Sequence, residues 1–376
     1  MSWLLDGKPV SSVLLTRLRY LGDVVMTTVL AEVLRAGDPE LRIGYLCEAA
    51  HAPVLEGHPH LDRIHRLGAR RRGADARARV PATGAATGPA RGTLGMVAEL
   101  RAARYDLAVD LFFNPRSAWL LRLAGIPRRI GGTRGSRRRL YTHVVLRPDL
   151  PELPLGDLAP GGLGEHLCRL ATLVHAGTGQ DLVTWAAGRF PPGSLAPRIA
   201  GCERAPAPGA PVVLAPAATW PTKEWPAAHW RELVAAWSGR SNRPLQVLIP
   251  PGRQDDWSAF AAELPDEGIE VLPPGGLSGV RRLLAASAGV ISADGGVMHL
   301  AVGLGVPTLG LFGPTDPAIW FPYEGLGPFR VLATRPACHP CDRHTCGEFI
   351  CLPDLAPADV LDAAVALFGR DGTAAP

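Results

Sequence analysis

The sequence predicts two α/β domains, each an open, doubly wound sheet of parallel strands. The chain has 376 residues, about twice the length of a typical domain. Short apolar runs alternate with helical stretches in both halves, the pattern of βαβ units whose strands are buried on both faces. Between the halves, Pro191 to Pro211 is rich in Pro, Gly and Ala and has no period of either element, so it reads as a linker. The expected domains are therefore 1–190 and 212–370, joined by 191–211.

In the first half, Val13-Leu14-Leu15-Thr16 is a β-type run, followed by Leu21-Gly22-Asp23 and a helical stretch from Val24 to Arg35. Arg42 to Leu46 follows the turn Gly37-Asp38-Pro39 as a second strand, and Leu107 to Phe112 is an apolar strand interrupted by Asp110. Residues 68–95, rich in Gly, Ala and Arg, read as a long mobile loop. The second half repeats the scheme without a sequence repeat. Strands are expected at Val212–Leu214, Leu245–Ile249, Val290–Ser292 and Thr308–Phe312, and helices at His229–Ser238, Val280–Ser287 and Met298–Leu304.

Hydrophobic residues make up 47% and charged residues 20%, with a net charge of +4, so disorder and general nucleic-acid binding are both disfavoured. The small net charge hides an asymmetry. Residues 60–150 hold 19 Arg against 6 Asp or Glu, a net of +13 that leaves −9 for the rest. An anionic partner fits the basic stretch, as does a solvated Arg-rich surface in a chain whose only lysines are Lys8 and Lys223. No apolar run approaches the about 18–20 residues that span a bilayer, and the N-terminus lacks the pattern of a signal peptide. A soluble, cytoplasmic protein is expected.

Four segments carry chemistry. In Arg17-Leu18-Arg19-Tyr20-Leu21-Gly22-Asp23, a carboxylate stands at a strand-to-helix turn, where open α/β sheets bind ligands. Asp23 suits a general base that takes a hydroxyl proton, and equally a helix cap. In Thr219-Trp220-Pro221-Thr222-Lys223, hydroxyls and an ammonium precede a helix and fit a diphosphate, while the Trp-Pro pairs read as packing and turn residues. In Asp294-Gly295-Gly296-Val297-Met298-His299, backbone N–H groups at a helix N-terminus suit an anion, with Asp294 and His299 in reach of the same ligand. Phe312-Gly313-Pro314-Thr315-Asp316-Pro317 reads as a rigid structural turn.

Arg17 to Thr28, Pro216 to Pro226 and Ser292 to Pro317 together resemble glycosyltransferase family 9, the ADP-heptose:lipopolysaccharide heptosyltransferases. Arg104-Tyr105-Asp106-Leu107, Asn114-Pro115-Arg116-Ser117 and a Cys-rich tail before Leu355-Ala356-Pro357 extend the likeness from about Val13 to Leu367. The resemblance implies two Rossmann-like domains facing across a cleft, the GT-B type. It implies transfer of a heptose from a nucleotide-diphosphate donor, ADP-heptose, to an anionic glycolipid of the lipopolysaccharide core, with inversion and no catalytic metal. Such an enzyme would work at the inner face of the cytoplasmic membrane as a peripheral protein.

By the same resemblance Asp23 is the base. Thr219, Thr222, Lys223, Gln254, Asp294, Gly295, Gly296 and His299 meet the donor, and Gly22, Asn114, Arg116 and Ser117 lie on the acceptor side, to which the basic charge adds Arg137. Two departures stand out: Gln254 takes the place of an acidic residue that meets the ribose, and Gly295 that of a Thr. A family member with another nucleotide sugar and glycan acceptor, a sugar-nucleotide epimerase of the same architecture, and a non-catalytic carbohydrate-binding relative are the alternatives.

Cys338, Cys341, Cys346 and Cys351 have the count for a tetrahedral thiolate site, with His339 and His344 as substitutes. A structural zinc is one expectation for residues 338–351, and free thiols or a local disulfide another. The basic excess falls on the half assigned to the acceptor. Arg66, Arg70, Arg71, Arg72, Arg134, Arg137, Arg138 and Arg139 are candidates to meet phosphorylated glycolipid or an anionic membrane.

Overall fold

The computed structural model describes residues 3–69, 90–132, 135–145, 161–191, 194–249, 253, 260, 269–272 and 276–368. The described residues through Gly201 form one compact unit and those from Cys202 onward a second. The division falls inside the stretch read as a linker, and each part of that stretch is fastened locally. Leu195 and Ile199 are buried in the first unit, whereas the Ala205 N–H donates to the Ala285 carbonyl of the second.

The N-terminal unit opens with an antiparallel hairpin of β1 (Trp3–Leu5) and β2 (Lys8–Val10). Three-residue strands are too short to show a period, so the sequence does not reveal them. A six-stranded sheet follows: β3 (Ser12–Thr16), β4 (Arg42–Glu48), β5 (Arg63–Leu67), β6 (Leu107–Asp110), β7 (Arg128–Gly131) and β8 (His143–Val144). All its pairings are parallel and the order is β5-β4-β3-β6-β7-β8. Every residue of β3 is buried, as a strand covered on both faces requires.

The C-terminal unit repeats the order with β9 (Val212–Ala215), β10 (Leu245–Leu248), β11 (Ile269–Leu272), β12 (Gly289–Ala293), β13 (Thr308–Phe312) and β14 (Phe329–Ala333). This sheet is also wholly parallel, in the order β11-β10-β9-β12-β13-β14. Its core is built on Trp225, Trp230 and Trp237, with Val212, Leu214, Ile291 and Leu309 from the strands. In both sheets the winding reverses beside the first strand, between β3 and β6 and between β9 and β12. Ligands of doubly wound sheets bind at that switch point, beyond the carboxyl ends of the strands.

Three expectations change in detail. The helix expected from Val24 to Arg35 is two helices, Leu21–Met26 and Val29–Gly37. Thr27 Oγ1 donates to the Asp23 carbonyl (2.8 Å) and Thr28 Oγ1 to the Val25 carbonyl (2.7 Å), competing with the backbone ladder. The strand expected to reach Phe112 stops at Asp110, whose buried carboxylate accepts the Phe112 and Phe113 N–H groups and folds the chain back. The loop expected to run to 95 ends before the helix Thr93–Ala103, although most of it, residues 70–89, lies outside the described residues.

Burial pushes the imidazoles of His51, His58 and His166, all in the N-terminal unit, down to about 4. Each is neutral in the fold and takes up a proton on unfolding once the pH falls below the ordinary value of about 6.5. Stability present above about 6.5 is therefore lost progressively as the pH falls towards about 4. Calorimetric melting of this unit should move to lower temperature between pH 7 and pH 5, and a pH-independent transition would contradict the buried, neutral state.

Candidate functional site

At the switch point of the C-terminal unit, the loop after β9 and the turn after β12 are joined by an ion pair. Lys223 Nζ lies 2.6 Å from Asp294 Oδ2, with side chains 11% and 4% exposed. Thr315 Oγ1, from the turn after β13, donates to the same carboxylate oxygen at 2.6 Å. The ammonium also sits 4.3 Å from the centre of the Trp220 ring. An ammonium carries three N–H donors, so pairing with Asp294 leaves capacity for a phosphate oxygen. Glu224 braces the loop: its Oε1 accepts the Ala218 N–H (2.9 Å), and Arg253 Nη1 bonds both that oxygen (2.9 Å) and the Ala218 carbonyl (3.0 Å).

Gly295 is the N-cap of the helix Gly296–Gly303, in extended backbone and with no side chain to cap it. The helix N-terminus thus opens its N–H groups next to Lys223, an arrangement suited to an anion. Thr219 is exposed in the same loop. Gly313 marks a close approach, since a Cβ there would fall 2.9 Å from the Thr222 carbonyl oxygen.

Two expected donor contacts are engaged elsewhere. Thr222 is buried and donates its hydroxyl to the Arg343 carbonyl at 2.7 Å. His299 is 4% exposed, and its Nδ1 is 2.6 Å from the Tyr323 hydroxyl. Gln254 lies outside the described residues.

The N-terminal unit has a comparable centre. Asp23 sits in the first turn of Leu21–Met26 but does not cap it. The N-cap is Tyr20, and the Asp23 carboxylate instead pairs with Arg17 Nη2 at 2.6 Å. Arg17 donates to the carbonyls of Arg19 (2.8 Å) and Leu111 (2.6 Å) and lies 5.0 Å over the Phe112 ring. Gly22 is buried in the same turn. Nearby, Glu48 is shared by Arg19 (3.3 Å) and Arg116 (3.2 Å), while burial raises its carboxyl above the usual range against these two cations. Arg116 also donates to the Gly68 carbonyl, and Arg137 to that of Phe113.

Asn114 and Ser117, expected to meet an acceptor, have local work. Asn114 caps the helix Pro115–Leu123 by accepting the Ser117 N–H at 2.8 Å, and Ser117 is fully buried. The structure gives no support to the metal site expected in the cysteine segment. Among the described residues no group of three or more His, Cys, Asp or Glu stands where it could hold one ion. His339 bonds the Gly313 carbonyl, and His344 stacks on Trp220. Cys338, Cys341, Cys346 and Cys351 are free, and burial raises the Cys351 thiol. For the arginine candidates, Arg70, Arg71, Arg72 and Arg134 lie outside the described residues, and Arg66 is paired with Glu56 at 3.0 Å.

Sequence reasoning missed Arg17, Thr315, Glu224 and Tyr323 as members of these centres. The turn from Phe312 to Pro317 gave the signal for Thr315, a hydroxyl at the end of a strand, but was read as structural.

Residues 194–348 match the family model described as glycosyltransferase family 9 (heptosyltransferase). Lipopolysaccharide heptosyltransferase 1 of Pseudomonas aeruginosa is 40% identical over 80 residues, 21% of this chain and 22% of that protein. The chain thus spans about a fifth of the length of the first curated relatives it matches. Lipopolysaccharide heptosyltransferase 3 of Escherichia coli is 24% identical over 358 residues, covering 87% of this chain and 90% of the relative. Among solved structures, E. coli ADP-heptose lipopolysaccharide heptosyltransferase II superposes with a TM-score of 0.70 at 22% identity, over 95% of this chain and 98% of the other. A family 9 glycosyltransferase from Veillonella parvula gives 0.70 at 18% identity, over 95% and 97%. These superpositions establish the fold, two parallel-sheet units of the GT-B type.

A Cβ at Gly295 would meet nothing closer than the Ala293 carbonyl oxygen at 3.7 Å. Gly295→Thr should therefore leave the melting temperature unchanged or slightly raised, since Thr caps a helix about as well as Gly. It should also leave nucleotide affinity intact. A large fall in melting temperature would show that the turn after β12 has no room for a side chain.

Proposed function

We propose that the chain is a member of glycosyltransferase family 9, whose model matches residues 194–348, and that it transfers a heptose from ADP-heptose to an acceptor of the lipopolysaccharide core. The observation that carries this reading is the Lys223–Asp294 pair beside the open N-terminus of Gly296–Gly303, at the switch point of the C-terminal unit. The donor diphosphate binds there. Thr219 and the N–H groups of Gly295 and Gly296 meet its oxygens, and Lys223 turns part of its donor capacity towards it. Asp294 and Thr315 hold the ammonium in place, while His299 supports the helix from within.

The acceptor binds on the N-terminal unit, where Asp23 takes the proton of the attacking hydroxyl. The oxygen attacks the anomeric carbon, the bond to the diphosphate breaks, and the configuration inverts. Arg17 keeps the Asp23 carboxylate oriented, and negative charge growing on the leaving diphosphate is met by Lys223 and the helix N–H groups. Arg19, Arg116 and Arg137 suit the phosphates or carboxylates of an anionic glycolipid.

The lipid-borne acceptor places the enzyme at the inner face of the cytoplasmic membrane. Three large exposed apolar residues fall on two helices of the N-terminal unit: Leu94 (84%) on Thr93–Ala103, and Trp119 (52%) and Leu123 (45%) on Pro115–Leu123. Arg101, Arg122, Arg138 and Arg139 are exposed on the same unit, and Arg101 Nε donates to the Leu123 carbonyl. Apolar anchors with arginines around them suit an anionic bilayer surface.

Asp23→Ala should lower transfer about 10²–10⁴-fold, as loss of a general base does, and leave ADP binding unchanged by calorimetry. Lys223→Ala should instead weaken ADP binding. Near-normal turnover of Asp23→Ala would remove that residue from the chemistry, and unchanged ADP affinity in Lys223→Ala would remove the diphosphate from this loop. In vesicle sedimentation, the wild type should bind anionic but not neutral vesicles, and Trp119→Ser with Leu123→Ser should release it. Equal sedimentation of wild type and variant would contradict the membrane face.

A further inference from the structure

We propose that the cysteine-rich segment clamps the two donor loops, and that His344 is a positioning residue that sets the Lys223 ammonium through the Trp220 ring. This rests on the reading of Lys223 as the partner of the donor diphosphate.

The segment touches both loops at several points. Arg343 accepts the Thr222 hydroxyl at 2.7 Å, and the His344 ring lies on Trp220 with centroids 3.7 Å apart and planes at 27°. On the neighbouring turn, His339 Nδ1 is 3.0 Å from the Gly313 carbonyl oxygen, and the N–H groups of Cys341 and Asp342 donate to the Pro314 carbonyl at 2.9 and 3.0 Å. The turn so held carries Thr315, which bonds Asp294; the loop so held carries Lys223, which pairs with Asp294. Both partners of the Asp294 carboxylate are therefore fastened to one short stretch of chain.

The indole is the link between His344 and the ammonium. A ring stacked at 3.7 Å occupies one face of Trp220, so the ammonium, 4.3 Å from its centre, lies over the other. A nucleobase therefore has no open face of Trp220 to stack on while both neighbours stay in place. Lysine has a long stem with many rotamers. The sandwich orders it before any ligand arrives, so less freedom is lost on binding. None of these contacts uses a thiol. The segment acts through its backbone and two imidazoles, which gives the motif a role that needs no metal cluster.

The test is ADP binding to the full chain by calorimetry, followed by donor kinetics. His344→Ala should weaken ADP binding about tenfold and raise the donor KM more than it lowers kcat, with an unchanged melting temperature. His344→Phe, which keeps a ring on Trp220, should restore affinity to within about twofold. In a Lys223→Ala background, His344→Ala should add nothing, because the two act as one unit. ADP affinity unchanged by His344→Ala, an equal loss in the Lys223→Ala background, or failure of His344→Phe to rescue would each overturn the inference and leave the donor reading standing. A wild-type chain that binds neither ADP nor ADP-heptose would overturn that reading, and the inference with it.

Discussion

A carboxylate on a side chain only 4% exposed has to be paired, and in the C-terminal unit the pairing of Asp294 determines how three turns are arranged. Its partners come from the turns after β9 and β13, so the strand order that sets β12 between β9 and β13 is what brings Lys223 and Thr315 to it. The close approach at Gly313 and the clamp from Arg343 and His344 keep those turns together. Removing one member of such a buried pair leaves an uncompensated charge, a cost of about 3–5 kcal/mol. The site is thus ordered before any ligand arrives, and the same ion pair that stabilises the unit presents a cation beside a helix N-terminus.

The N-terminal unit solves a similar problem with a different cation. Arg17 pairs with Asp23, yet its guanidinium is already fixed by two backbone carbonyls and the Phe112 ring. A planar fork held on several sides orients a carboxylate and stays put, whereas an ammonium can redirect its donors as a ligand arrives. That contrast fits a fixed base on one unit and a charge-accepting site on the other. In a chain with only two lysines, Lys223 stands at the place where a point charge with rotatable donors has most use.

Much of this was legible in the sequence, for physical reasons. Parallel strands buried on both faces are continuous apolar runs, so β3, β9, β12 and β13 stood out, and the chemistry-bearing residues followed directly at their ends. Asp23, Lys223 and Asp294 stand out that way, and the structure pairs Asp23 with Arg17 and Lys223 with Asp294. What escaped notice depends on contacts distant in sequence. Thr222 donates to a carbonyl 121 positions away and Thr315 to a carboxylate 21 positions away, and no local pattern names either partner. Asn114 and Ser117 matched a family segment, yet their side chains build the start of a helix. The spacing of four cysteines suggested a metal, while the fold uses the segment's backbone and imidazoles to hold its neighbours.

The most direct measurement is an experimental structure of the chain with ADP bound. The account predicts the diphosphate at the carboxyl ends of β9 and β12, within hydrogen-bond distance of Lys223 Nζ and of the N–H groups at Gly295 and Gly296, with Asp294 still bonded to Thr315. A diphosphate bound away from this switch point, with Lys223 still paired only to Asp294, would contradict it.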